Sequence, residues 1–467
     1  MRYVSTRGSA PAVGFGDALL DGLAPDGGLY VPDRLPDRPV PSAGLRYPEL
    51  AASVMGPFVD DRRGLVAAAT GAYATFEHPE VVSLVDLGDG RHLLELFHGP
   101  TLAFKDVALQ LVGRLMDDEL RRRGQRRTVV VATSGDTGSA AIAACLGRGT
   151  LDVVVLHPLG RVSDVQRRQM TTVEAPNVHN LAVQGTFDDC QDLVKAMFAD
   201  EGFRYELALG AMNSINWARI LAQVPYFLWV TARLGPCIVV VPTGNFGNIL
   251  AGWYARLLGA PIERLVMATN RNDILARWAN TGLLVAADVV PTLSPAMDIA
   301  VSSNHERLLF DLLGRDGAAT AELMSRFRRD GAVEAPPAPD VLAAVRVDDD
   351  ETLAEIAAVH RRHGLLVDPH GAVALHAARS FVTPVTTAGP MPVPVVCLAT
   401  AHPAKFPDAV ERATGVRPAL PARLADLAGR PERFDVVPAD LGAVQARVRR
   451  AARDGGRGAV GTVEGRA

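Results

Sequence analysis

Short valine-rich runs recur along this chain with helical stretches between them, and that alternation limits the fold more than any other feature. Residues 127–132 (RTVVVA), 152–156 (DVVVL), 178–183 (VHNLAV), 237–241 (CIVVV), 264–268 (RLVMA) and 393–398 (VPVVCL) each read as a strand, as does 91–96 (RHLLEL). A run that is apolar on both faces has to be covered on both faces. Helical stretches at 106–123, 139–145, 214–233 and 248–258 supply that cover, so the spacing predicts buried parallel strands in an α/β fold. Residues 1–85 read as a separate N-terminal layer. Within it 26–32 (DGGLYVP) is a turn feeding an extended piece, and 47–55 (YPELAASVM) has helical periodicity. A core follows at 86–435, with a loop at 336–339 (PPAP), and 436–467 reads as a tail. The last stretch, 448–467, is rich in Arg, Ala and Gly and has little to bury; it is expected to be disordered, with a fraying terminal helix as the alternative.

Composition narrows the function classes. A hydrophobic share of 48% with 21% charged residues is ordinary for a soluble enzyme, and a net charge of −4 gives no electrostatic case for nucleic acid. Cys145, Cys190, Cys237 and Cys397 form neither a C-x-x-C pair nor a metal spacing, so they are expected as buried free thiols in a reducing compartment, with no metal site. The start has no charged-then-apolar leader, and no apolar run reaches the roughly 18 residues of a membrane span. The expectation is a cytoplasmic protein with no membrane partner.

Lysine is almost absent. Of 48 basic residues only Lys105, Lys195 and Lys405 are lysines, which leaves 48 − 3 = 45 arginines. Arginine replaces lysine wherever only charge is needed, but guanidinium cannot serve as a deprotonatable amine. Lys105 lies in FHGPTLAFKD (97–106), between the apolar 102–104 and Asp106, and is a candidate nucleophile of the Schiff-base kind. The plainer reading, a chance lysine on a helix face, fits Lys195, which shares an amphipathic stretch with Asp188, Asp189 and Asp192.

Two glycine-containing turns follow strands and open helices. In ATSGDTG (132–138) the backbone and the hydroxyls of Thr133, Ser134 and Thr137 can meet a carboxylate or a phosphate; a helix cap made for stability alone is the competing reading. The spacing G-x-G-x-x-G of a dinucleotide site is missing. In PTGNFGN (242–248), Gly244 and Gly247 bracket Asn245 and Phe246 in a tight loop whose amides can surround a phosphate, although an ordinary strand-to-helix turn also uses these residues. A phosphorylated cofactor that also needs a Schiff-base lysine is pyridoxal 5′-phosphate.

The set FHGPTLAFKD, ATSGDTG, PTGNFGN and ATAHPAKF (399–406) resembles the long, microbial and fungal type of threonine synthase, a family of fold type II, tryptophan-synthase-β-like pyridoxal-phosphate enzymes. Further matches are DGGLYVP, ATNRND (268–273), LSPAMDI (293–299) and DPHGAVA (368–374), so the resemblance runs over residues 1 to about 435. It implies two open α/β domains with parallel-rich sheets plus an N-terminal domain. It implies that Lys105 holds the cofactor, that Gly244, Asn245, Phe246, Gly247 and Asn248 bind its phosphate, and that Thr400 meets the pyridine nitrogen. Thr133, Ser134, Gly135, Thr137 and Gly138 would hold the substrate carboxylate, with Asp136 beside the cofactor's 3′-oxygen. The implied reaction converts O-phospho-L-homoserine and water to L-threonine and phosphate. Such a reaction needs a second anion site for the leaving phosphate, for which Lys405, His402, Arg271 and Asn270 are candidates. Lys405 serves equally as an anchor for its turn, and His98 joins His402 as a residue that could meet substrate. A fold type II dehydratase, a catalytically idle relative and a nucleotide-binding α/β protein are the alternatives. The sequence leaves the oligomeric state open.

Overall fold

A computed structural model describes residues 1–36, 44–88, 90–382 and 393–457. The chain divides into two compact units, one of residues 1–108 with 214–419, the other of 109–213 with 420–467.

In the first unit a six-stranded sheet runs in the order Leu342–Arg346, Ile262–Thr269, Cys237–Pro242, Val395–Ala399, Arg91–Glu95, Ser83–Asp86. The first five strands are mutually parallel, and only the edge strand Ser83–Asp86 is antiparallel. The three inner strands that carry the motifs are therefore neighbours pointing one way. Helix Pro369–Ala378 is apolar almost all round because it is buried on nearly every side, with Val373 and Leu375 in one cluster with Val240, Val266 and Cys397. The expected helix at 214–233 is two helices, Trp217–Leu221 and Val224–Leu234, since Pro225 lacks an N–H and fits only a first turn. The N-terminal residues fall within this unit, where Tyr3–Ser5 pairs antiparallel with Tyr30–Pro32.

The second unit holds a five-stranded, wholly parallel sheet in the order Asp435–Pro438, Val178–Gln184, Leu151–Pro158, Arg127–Ala132, Leu209–Gly210. Its outer strand and the helix Leu441–Arg457 come from the segment expected to be a tail. Val444, Val448 and Ala451 are buried in a cluster with Val154, Leu181 and Val183, which corrects the expectation that this stretch has little to bury. The apolar residues recur at four- and three-residue spacing, a helical stripe thinly spread among arginines. Residues 458–467 lie outside the described part. Among the described residues no helix is long and apolar enough to cross a membrane.

Candidate active site

The strands Cys237–Pro242, Val395–Ala399 and Arg91–Glu95 lie side by side, and the segments leaving their carboxyl ends carry 243–248, Thr400 and Lys105 respectively. Ligands of parallel sheets bind at that edge, where loops converge and helices begin.

The Lys105 segment is stitched to the Thr400 segment. Phe104 N donates to Thr400 O (2.8 Å), His402 N donates to Leu102 O (3.0 Å), and Ala103 bridges Ala401. Leu102 sits in the left-handed region (φ 63°), held by these contacts. Lys105 opens the helix Lys105–Arg123, is buried, and has its Nζ 4.9 Å from the Phe104 ring centroid. Asp106 accepts hydrogen bonds from Thr101 N and Thr101 Oγ1, both 2.7 Å. Burial pushes its carboxyl up to about 6, against those bonds and the charge of Lys405. Gly99 is required here, because a Cβ on it would lie 2.4 Å from that of Asp106. Lys405 is fully buried and its Nζ donates to Thr101 O (2.8 Å). That bond fits the anchor reading, with Lys405 tying down the turn in front of Lys105.

The 244–248 loop turns its carbonyls backward. Ser302 Oγ donates to Gly244 O (2.7 Å), and Asn245 O accepts from both Asn304 N (3.2 Å) and Asn304 Nδ2 (3.0 Å). Phe246 is left-handed (φ 62°) and its ring packs against buried His305. Gly247 and Asn248 open the helix Gly247–Leu257, so their N–H groups have no acceptor within it. Asn248 Oδ1 accepts from Tyr226 (2.6 Å), while Asn248 Nδ2 is buried with no hydrogen-bond partner among the described residues. Amides and a spare donor at a helix N-terminus fit a phosphate group.

Behind the loop three of the motif stretches form one wall. Asn270 Nδ2 donates to Thr292, Ser294 and Asp298, and Asn272 Nδ2 also donates to Asp298. Ala296 N donates to His370 Nε2 (3.2 Å), whose Nδ1 meets Asp368 at 2.7 Å. A Cβ on Gly244 would come within 2.9 Å of Ala296 O, so the wall and the loop touch backbone to backbone. Asn270 thus takes part in the framework, and Arg271 is exposed.

Glu95 was not singled out by the sequence. His98 Nε2 lies 3.1 Å from Glu95 Oε2, and Ser83 Oγ donates to the same oxygen. Burial opposes ionisation of Glu95, but the bonds from His98 and Ser83 hold it below the usual carboxylate range. A carboxylate directly after Leu93 and Leu94, at the end of a strand, is the one signal that marked it. His402 uses Nδ1 to accept from Ala404 N (3.1 Å) and stands edge-on to Phe97.

In the second unit, Thr133 Oγ1 accepts from Gly135 N (2.9 Å) and Gly138 N (3.0 Å), so these three residues frame the turn from within. Asp136 Oδ1 accepts from Gln166 Nε2 (2.8 Å). Ser134, Thr137 and the first N–H groups of the helix Asp136–Cys145 are left as the anion donors of this turn.

Residues 92–389 match the family described as pyridoxal-phosphate dependent enzyme, and the chain belongs to that class. Residues 2–66 match the threonine synthase N terminus and 371–448 the threonine synthase C-terminal family. A threonine synthase from Pseudomonas aeruginosa is 50% identical, covering 96% of this chain and 97% of the relative, and one from Schizosaccharomyces pombe is 42% identical, covering 88% and 89%. The crystal structure of a pyridoxal-phosphate-bound threonine synthase from Brucella melitensis superposes with a TM-score of 0.90 at 47% identity, covering 97% of this chain and all of that one. A yeast threonine synthase gives 0.89 at 37% identity, covering 97% and 99%. The chain is a member of the threonine synthase family. A threonine deaminase from Solanum lycopersicum, covering 79% of this chain and 90% of its own, shares the fold alone (TM-score 0.51, 14% identity).

Proposed function

We propose that this enzyme converts O-phospho-L-homoserine and water to L-threonine and phosphate, with Lys105 as its catalytic amine. The observation that carries the reading is the alignment of three parallel strand ends bearing 243–248, Thr400 and Lys105, together with threonine synthase relatives along the whole chain. Lys105 Nζ would be the amine that holds the cofactor aldehyde, and the backbone and Asn248 of the 244–248 loop would hold its phosphate. Thr400 would supply a neutral hydroxyl to the pyridine nitrogen, a partner that does not favour its protonation. Pyridoxal phosphate, when bound, spreads the negative charge left on the substrate carbons.

The residues of the chain then move protons. Lys105, once released, takes the proton from Cα, and its apolar neighbours favour the neutral amine that this step needs. Loss of a Cβ proton lets phosphate leave from Cγ, a proton returned to Cγ makes it the methyl carbon, and the hydroxyl of water then adds at Cβ. Return of a proton to Cα completes threonine. Glu95 and His98, at the end of the strand that leads to Lys105, form a couple able to hold a proton during these transfers. Ser134 and Thr137, with the first amides of their helix, have the donors for the substrate carboxylate. The dehydratase alternative needs no second phosphate. Cys145, Cys190, Cys237 and Cys397 are buried free thiols, in keeping with a reducing, cytoplasmic setting.

The test follows inorganic phosphate and threonine from O-phospho-L-homoserine beside 2-oxobutyrate from L-threonine. Stoichiometric phosphate and threonine, with only slow 2-oxobutyrate, is the expected result. Efficient threonine deamination without phosphohomoserine turnover would overturn the substrate assignment and spare the fold and Lys105.

A further inference from the structure

The turn 243–248 carries no charged side chain. A phosphate monoester carries roughly 1.5–2 negative charges near neutral pH, more than neutral amides and one helix N-terminus offset. The nearest structural support of the loop leads to a cation. Asn304, which holds Asn245 O through both its backbone N and its Nδ2, accepts through Oδ1 from Arg307 Nη1. Arg307 is fully buried. Its other hydrogen bonds go to backbone oxygens: Nε (3.0 Å) and Nη2 (2.9 Å) to Tyr30 O, and Nη2 to Ile215 O (2.6 Å).

The adjacent acid, Glu306, adds to the field at Arg307 but makes its bonds elsewhere. Glu306 is paired with Arg7 (3.0 Å) and accepts from Thr6 Oγ1 (2.6 Å). Burial pulls the Arg307 guanidinium down to about 10, still protonated at neutral pH. A buried cation bonded only to neutral oxygens is costly unless an anion is near. Two hydrogen bonds away lies the loop built for one.

We propose that Arg307 is the buried counter-charge of the phosphate site, a positioning residue that acts through Asn304 and does not touch the ligand. The proposal rests on the reading that the 244–248 loop holds the cofactor phosphate. It also gives the N-terminal segment a part in cofactor binding, because Tyr30 O fixes the guanidinium in place.

The experiment titrates apo-protein with pyridoxal phosphate and, separately, with pyridoxal, which lacks the phosphate. Arg307→Met should weaken pyridoxal phosphate by about thirtyfold, the attraction expected of a charge at this range in a protein-like dielectric, and leave pyridoxal unchanged. Arg307→Lys, which keeps the charge and loses the fork of hydrogen bonds, should recover most of the phosphate preference. A purely structural Arg307 predicts that both ligands weaken alike and that Lys behaves as Met, and that result overturns the proposal. The second measurement needs no variant: ³¹P resonance of the wild-type holoenzyme should show a dianionic phosphate from pH 5.5 to 8.5. A bound phosphate that titrates near its free value of about 6 overturns the proposal as well. Gly247→Asp separates this inference from its premise. Unchanged pyridoxal phosphate affinity in that folded variant removes the loop as the phosphate site, whereas weakened affinity there with an indiscriminate Arg307→Met removes the counter-charge alone.

Discussion

Asp106 is fully buried next to Lys105, and replacing it by asparagine isolates what that burial costs. Asparagine keeps the shape, an acceptor for Thr101 N and a donor for Thr101 Oγ1. Burial raises the native carboxyl from 3.8 to about 6, so the folded protein binds this proton more tightly than the unfolded chain. The stability associated with the protonated form is fully present below about pH 4 and is lost as pH rises through about 6. The gap between 3.8 and about 6, at 1.36 kcal/mol per pH unit, amounts to about 3 kcal/mol. For 467 residues unfolding with roughly 2.1 cal/mol/K each, that is about 3 °C in melting temperature. Lys405, left without its acidic neighbour, sets a constant offset but not the slope. The assay compares melting of apo wild type and Asp106→Asn in matched buffers from pH 4 to 7.5. The variant should gain about 3 °C on wild type across that range. A difference that does not change with pH would refute the reasoning, and one that moves the other way would mean that attraction to Lys405 outweighs burial.

Lys105→Arg should remove the visible absorbance of lysine-bound cofactor and lower turnover by at least about a thousandfold, because guanidinium supplies neither the attacking amine nor a neutral base; spectra and phosphate release read both, and retained yellow colour with wild-type turnover would exclude Lys105. Val448→Asp places a carboxylate in the cluster of Val154 and Val183 and should cost about 3 kcal/mol or more, seen as a lower denaturant midpoint. An unchanged midpoint would mean that the C-terminal helix does not pack as described.

How much of this was legible in the sequence varied with the range of the interactions involved. Runs such as 127–132 and 237–241 were found almost to the residue, since an apolar stretch bounded by glycines and helices has few other uses. Leu342–Arg346 and Ser83–Asp86 were missed because edge strands are half-exposed and these two are weak signals, LAAVR having two alanines at its centre and SLVD only two apolar residues. The C-terminal helix was underread because three buried side chains are diluted by arginines. Lys105 and the two glycine turns stood out because their chemistry is local. Glu95, Asn304 and Arg307 did not, since each depends on a partner distant in sequence as well as on a near one: Ser83 for Glu95, Asn245 for Asn304 and Tyr30 for Arg307. For Asn270 the motif resemblance suggested a ligand contact, and the hydrogen bonds to Thr292, Ser294 and Asp298, invisible in the sequence, tie it into the wall.

The order in which the strands lie also sets the order in which the protein can be made. The second unit's central strands, from Arg127 to Gly210, leave the ribosome as one uninterrupted stretch. The strand Arg91–Glu95 is synthesised before all of them, yet its parallel neighbour Val395–Ala399 comes last in that sheet. At roughly 5–20 residues per second the early strand waits many seconds with one long edge unpaired. The stitch between Phe104 and Thr400 closes only then. A nascent chain stopped short of residue 400 therefore holds the lysine, both glycine turns and four of the second unit's five strands, and has no Thr400 for Phe104 to close on.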